Sequence, residues 1–517
     1  MKRKKTLFAL IAVILYFLML FLLIAAEKGA PGASITGIGS AVWYSLTTLT
    51  TVGYGDMYPV TLPGRLIGAM FQVLSIGVLV ALITAAFSLL RGRLLPLAYL
   101  WFRRKSHWFI FSGIDQRQIL TAQAIAREND PAVILFCDDG SDHDILPVGF
   151  SVSLPPAKLI EFQKNKGTAT VFAMSDDQTE NDRLAESLGN TSCRICVMTD
   201  YEPDRLSDKL ILYNPYQTCA RLYWFQYPVT SPDEVIVIIG DGKYAGALLE
   251  QALLFNIIAP DQQLSYHVIG DFENFRRNHP ALDQVFASCD RLVFHEGPWN
   301  EDFERLKQAD RIIFCHDDPA QSMEEVTQLK RYCPAKGRLF VRGAVPLSGY
   351  TSFGTQETLY QPGYVLRSEL YQTAIRLHRI YQDSVAGAPG WEALNGFLRR
   401  SNLASADHLR MKVRILLDSK GGTLPESAAQ LTSDSLTRAA QIYRSLDDAA
   451  LDRCRRIEHE RWMRFHLMNN WQYAPVRDNE QRKHPLLRPY DELSREDQLK
   501  DSHAWELIEK LSGKEMP

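Results

Sequence analysis

The sequence predicts a membrane-embedded α-helical segment, then two doubly wound α/β lobes, then a small, mostly α C-terminal region. Three observations predict it: two long apolar runs within the first 90 residues, two successive series of short buried strands alternating with helical stretches, and a switch to helical periodicity after Gly363. Of 517 residues, 57 are Lys or Arg and 60 are Asp or Glu, a net charge of −3 that excludes a nucleic-acid binder by bulk charge. The charge is unevenly placed. Residues 1–105 hold 11 basic and 2 acidic side chains, or +9, which leaves −12 for the rest. All eight cysteines follow residue 105, in sequence read as cytosolic, and are expected to be reduced thiols. Cys193 and Cys196 have metal-site spacing, but no second pair follows and they sit in a strand-like run, so no metal site is expected there.

The first element, residues 6–26, holds about 21 residues without a charge, enough at 1.5 Å per residue to cross a hydrocarbon core of about 30 Å. A second apolar stretch runs from about residue 62 to 90, interrupted only by Arg65. Lys2, Arg3, Lys4 and Lys5 precede the first run, and Arg91, Arg93, Arg103, Arg104 and Lys105 follow the second. These basic flanks place both ends on the cytoplasmic side of a multi-pass protein of the plasma (inner) membrane.

Between the runs, residues 43–56 read WYSLTTLTTVGYGD. An ion crossing a bilayer must exchange its water for other oxygens, and backbone carbonyls turned one way can supply them. That turn demands angles ordinary L-residues resist, which Gly53 and Gly55 tolerate. The arrangement over about residues 6–91 resembles the two-transmembrane prokaryotic potassium channels. The resemblance implies a homotetrameric pore in which K+ is held by Thr51, Val52, Gly53 and Tyr54, with Gly55 and Asp56 completing the selectivity filter. Tyr54 and Asp56 are expected to brace the filter against the preceding helix. Gly77, midway along the second span, is read either as a gating hinge or as a site of close helix packing. No span carries arginine at every third position, so gating is expected to come from elsewhere than an intrinsic voltage sensor.

After the pore segment (1–95) and a connector (96–106), the first lobe spans 107–232 and the second 233–365. In this context they resemble the regulator-of-potassium-conductance domains, which are Rossmann-like. The first lobe keeps only Gly113 of the glycine-rich turn, so a dinucleotide is not expected there. The second keeps Gly240, Gly242 and Ala245 as G-x-G-x-x-A between a strand and a helix, and Asp271 ends the next strand, so these four are candidate cofactor-binding residues for a nucleotide.

A helical linker is predicted over 366–444. Within 445–512, the pieces RIEHERW, NWQY, HPLLRPY and DEL resemble a ryanodine-receptor repeat domain. His459 followed by Glu460 invites a metalloprotease reading, but Met463 stands where the second histidine would be, and that reading is rejected. Trp462, Trp471, Tyr473, Lys483 and Tyr490 are the candidate residues for a small cytosolic ligand, either stacking a base and neutralising phosphate or forming the domain's own core. The expectation is a ligand-gated potassium channel, not an enzyme, embedded in a lipid bilayer and taking a nucleotide or cyclic nucleotide. Alternatives are a membrane-tethered nucleotide-dependent oxidoreductase and a non-conducting scaffold.

Overall fold

The computed structural model describes residues 2–512 apart from 90–94, 129–131, 139–145, 165–166, 203–206, 286–289, 334 and 419–430; side chains are described from residue 15, apart from 74–82 and 85–96. The chain divides into two compact units, Met1–Arg103 and Arg104–Pro517.

The first unit is helical: α1 (Lys2–Glu27), α2 (Ile38–Leu49), α3 (Leu62–Leu89) and α4 (Leu95–Phe102). A small core of Leu20, Leu23, Ile35, Ala41, Tyr44 and Phe71 joins the first three. Among the described residues no helix is long and apolar enough to cross a membrane. The two runs expected to span lie partly where side chains are outside the description, and so does Gly77 within α3.

The second unit opens with β1 (Trp108–Phe111), α5 (Gln116–Glu128), β2 (Val133–Cys137), β3 (Phe150–Val152), α6 (Pro156–Gln163), β4 (Ala169–Ala173), α7 (Gln178–Leu188), β5 (Arg194–Met198), β6 (Leu210–Tyr213) and α8 (Pro215–Gln226). The strands form a sheet in the order β3-β2-β1-β4-β5-β6, with every pair parallel. Burial on both faces explains why β1, β2, β4 and β5 read as continuous apolar runs.

The pattern then repeats: β7 (Val235–Ile239), α9 (Gly242–Phe255), β8 (Ser265–Ile269), α10 (Glu273–Asn278), α11 (Leu282–Val285), β9 (Arg291–His295), α12 (Phe303–Gln308), β10 (Arg311–Phe314), α13 (Pro319–Tyr332), β11 (Arg338–Arg342) and β12 (Thr351–Phe353). Read from the far edge, the order β9-β8-β7-β10-β11-β12 matches the first sheet. Both are doubly wound sheets whose strand order reverses beside the central strand, where the crevice of such folds lies. The sequence did not reveal β3, β6 and β12. Two of them have three residues and one has four, too short for a periodic signal.

The lobes share one core. Trp224 on α8 donates its Nε1 proton to Leu248 O on α9 (2.9 Å). Arg311, fully buried at the start of β10, donates from Nε to Glu234 Oε1 (2.7 Å) and from its terminal nitrogens to the Tyr227 and Pro228 carbonyls of the interlobe link. Helices α14 (Gln356–Leu359) and α15 (Pro362–Val365) follow the second lobe in sequence but return to the first: Tyr213 Oη donates to Leu359 O, and Cys196 Sγ to Val365 O.

The chain ends with α16 (Glu369–Ser384), α17 (Gly396–Asp418), α18 (Ser433–Arg444), α19 (Asp448–Met468), β13 (Gln472–Tyr473), β14 (Lys483–His484), α20 (Arg495–Lys500) and α21 (His503–Leu511). The segment expected to be a linker shares a core with the terminal domain: Leu377, Leu409, Leu436, Ile457 and Trp505 belong to one buried cluster. Buried ion pairs fasten this module to both lobes. Arg221 of α8 forks onto Asp407 of α17 (2.6 and 2.8 Å), and Arg464 of α19 meets Asp290 beside β9 (2.8 Å). Such pairs fix geometry, because removing one partner strands a buried charge.

Candidate functional site

Three places in the fold concentrate functional geometry. In the first unit, α2 starts at a capped Gly37, whose N–H donates to Ser40 Oγ (3.2 Å), and its C-terminal end points into the TVGYGD strip. That end carries the negative pole of the helix dipole and favours a cation ahead of it. Along the strip, Thr51, Gly53 and Gly55 have φ of 61°, 55° and 73°. Left-handed angles thus recur at alternate residues, and two of the three fall on glycine, which adopts them without a Cβ penalty. The strip contacts α2 through Trp43. Trp43 Nε1 donates to Asp56 Oδ2 (2.9 Å), and the Trp43 ring lies 5.9 Å from that of Tyr54, within 5° of parallel. Glu27, at the end of α1, accepts from the N–H groups of Val60 and Thr61 (2.9 and 3.0 Å) and from Thr61 Oγ1 (2.7 Å), joining α1 to the start of α3. That anchor left no trace along the chain, because a lone glutamate at a helix end is unremarkable until its partners are known.

The second place is the glycine turn between β7 and α9. It brings Gly240, Gly242 and Ala245 together, and Gly270 packs its backbone against Gly240 O, which sets Asp271 at the neighbouring strand end. His316, buried at the end of β10, bonds Asp241 Oδ1 through Nδ1 (3.0 Å) and Glu325 Oε2 through Nε2 (2.8 Å). Burial alone would lower its pKa, but the two carboxylates outweigh that and hold it above the ordinary imidazole value. Asp317, missed by sequence reasoning, accepts from the N–H groups of Lys243 and Tyr244 (3.1 and 3.0 Å).

The third place is a cavity of about 860 Å³ in the terminal module, between α16, α19, α20, α21 and the loop after β14. Leu377, Ile380 and Leu507 form an apolar wall, Trp462 and His484 an aromatic one, and Arg477, Lys500 and Lys510 bring positive charge near Asp497 and Asp501. Of the five ligand candidates, only Trp462 lines it. Trp471 is buried against Phe397 (5.2 Å between ring centres), and Tyr490 is buried with its hydroxyl donating to Asp452 Oδ1 (3.0 Å). Lys483 donates to Gln481 Oε1, and Tyr473 stands exposed on β13. The core reading therefore describes Trp471 and Tyr490. The α16 wall escaped notice because it lies about 80 residues upstream of Trp462, and only tertiary packing brings the two together.

Among the module's buried histidines, three have pKa values well below that of free imidazole. Burial pushes His408 and His466 down to about 3 and His484 to about 4. A histidine whose folded pKa is depressed contributes stability that is present above its unfolded pKa of about 6.5 and is lost as pH falls toward the folded value. Acidification from pH 6.5 to 5 is therefore expected to remove about 2 kcal/mol for each of His408 and His466. Hydrogen exchange in α17 and α19 measures it; protection unchanged at pH 5 contradicts the assignment.

Two stretches of the chain match families of known proteins. Residues 6–92 match the family described as Ion channel, and residues 442–512 match the family described as RyR domain. Over 80 residues the chain is 39% identical to the potassium voltage-gated channel protein Shal of Drosophila melanogaster and 38% identical to the human A-type voltage-gated potassium channel KCND3. Those 80 residues are 15% of this chain, and they span only 14% and 12% of the two relatives. A crystal structure of GsuK bound to ADP aligns at 15% identity with a TM-score of 0.35, covering 70% of this chain and 99% of that one. A GsuK channel bound to NAD aligns at 12% identity with a TM-score of 0.34, covering 71% and 84%. The similarity thus lies in residues 6–92 to the ion-channel family and in residues 442–512 to the RyR family.

Proposed function

We propose that this chain is one subunit of a homotetrameric, potassium-selective channel of the plasma (inner) membrane, with both termini cytoplasmic, gated by a small cytosolic ligand. One observation carries the reading: left-handed backbone at Thr51, Gly53 and Gly55 in a strip braced by the Trp43 to Asp56 hydrogen bond. One strip offers oxygens from a single direction, so four copies are needed to surround an ion. In this reading Thr51, Val52, Gly53 and Tyr54 hold K+, and Gly55 and Asp56 keep the strip at working width. The connector 96–106 carries force from the cytosolic body to the inner helix, where Gly77 is the hinge.

The ligand is placed in the terminal cavity. Trp462 offers a face for a planar base, and Arg477 and Lys500 offer positive charge for phosphate, which suits a nucleotide or cyclic nucleotide. A ligand moves a gate only by binding one state better than the other. The fastenings Arg221 to Asp407 and Arg464 to Asp290 would carry that difference into both lobes.

The test is potassium flux through reconstituted protein as nucleotides are added one at a time, with Trp462→Ala in parallel. Loss of a stacking face removes about 1–3 kcal/mol, so the half-maximal ligand concentration is expected to rise by a factor of about 5 to 150 while flux without ligand stays unchanged. A ligand response that Trp462→Ala leaves intact rejects the cavity. Absence of any potassium flux rejects the channel.

A further inference from the structure

The G-x-G-x-x-A turn of the second lobe is the place where a doubly wound fold of this order would take a nucleotide's phosphates, on the free N–H groups at the start of α9. Those groups are engaged. Asp317, in the loop after β10, puts Oδ2 on Lys243 N (3.1 Å) and Oδ1 on Tyr244 N (3.0 Å), a bidentate carboxylate where a phosphate would sit. Arg342 holds the loop in place, donating to His316 O (2.8 Å) and Asp317 O (2.6 Å) with its guanidinium 3.9 Å above the Tyr244 ring.

The small residues of the motif are likewise explained by contacts within the chain. A Cβ on Gly242, at φ +78°, would lie 2.2 Å from Asp317 Oδ2, and one on Gly240 would lie 2.4 Å from Cys315 O. Asp271, the residue placed to meet a ribose, accepts instead from Glu273 N (3.0 Å). Lys243 is turned away onto Asp200 of the first lobe (2.6 Å), and Tyr244 packs on Tyr216 of α8. The first lobe reaches the same end with other residues: Asp115 Oδ1 accepts from Gln118 N (2.9 Å), and Gln118 Oε1 accepts from Gly113 N (2.9 Å).

We infer that the glycine turn of the second lobe is self-liganded: Asp317 serves as a built-in anion in the phosphate seat, so the turn latches α9 against the first lobe and takes no free nucleotide. An incoming phosphate would have to displace a tethered carboxylate and would meet Asp241 and Asp271 nearby. Charge-assisted bonds of this kind are worth enough to weaken a competing phosphate ten-fold or more.

The experiment uses the full-length protein and 8-azido-ADP as photolabel, with labelled peptides mapped. In the wild type, no label is expected on the peptides holding residues 240–245 or Asp271. In Asp317→Ser, which vacates the seat, label there is expected to rise at least ten-fold and to be competed by ADP. Wild-type label at 240–245 overturns the inference, and that arm is readable even if the variant misfolds. A folded Asp317→Ser, with unchanged melting temperature, that stays unlabelled also overturns it. Label within the terminal module bears only on the cavity proposed above, so the two readings fail separately.

Discussion

Gly55→Ala is expected to abolish discrimination between potassium and sodium in reconstituted vesicles. The reason lies in the backbone. Gly55 has φ +73°, and a Cβ there meets no neighbouring atom in the isolated chain, so the penalty is conformational strain rather than a clash. An L-residue held in this region is disfavoured by about 1–2 kcal/mol. In the four copies of the proposed tetramer that sums to about 4–8 kcal/mol, enough for the strip to relax and turn its carbonyls away. Gly53→Ala, at φ +55°, is expected to behave alike. Gly37→Ala serves as the control, because that residue has extended backbone and open space around it, and its selectivity is expected to stay as in the wild type. Size-exclusion chromatography separates loss of selectivity from loss of assembly. An assembled Gly55→Ala protein that still excludes sodium removes the strip from the ion path.

The second large effect concerns the terminal module. Glu458 on α19 is buried between two cations: Lys412 Nζ of α17 lies 2.7 Å from Oε2, and Arg461 NH2 lies 2.6 Å from Oε1. Burial would raise the Glu458 pKa, but the two cations outweigh it and hold the carboxyl at about 2. The partners shift in opposite senses, for burial with Arg461 alongside pulls Lys412 below its ordinary value. We favour the charged pair, since a 2.7 Å contact to an ionised carboxylate answers both cations at once. Glu458→Gln then leaves Lys412 and Arg461 facing each other without an anion, a loss of about 3–5 kcal/mol, and the module's melting temperature is expected to fall by about 10 °C. Adding Lys412→Met removes one stranded charge and is expected to recover part of that loss. A Glu458→Gln protein as stable as the wild type shows that the cluster is solvated.

How much of this was legible follows from the range over which each signal acts. The alternation of apolar strands and helices marked both lobes, because a parallel sheet buried on both faces writes itself as unbroken apolar runs. Three short strands at or near sheet edges left no such trace. Gly240 and Gly242 stood out as a phosphate-binding turn, yet the carboxylate now resting on that turn comes from Asp317, more than 70 residues away in sequence. In the terminal region the aromatic pattern was visible, but the pattern cannot say which rings face inward. Packing put Trp471 and Tyr490 in the core and left Trp462 on a cavity whose opposite wall is α16.

By itself the sequence determined what depends on neighbours along the chain: the apolar runs, the strand and helix periods, and the glycine spacing that permits left-handed backbone in the strip. Only the tertiary structure decided what depends on partners brought from afar: Glu27 closing on Val60 and Thr61, Asp317 filling the glycine turn, and α16 walling a cavity with α19. The physical reason is that a backbone preference is fixed within a few residues, whereas a buried charge or an exposed ring acquires its role from whatever the fold sets against it.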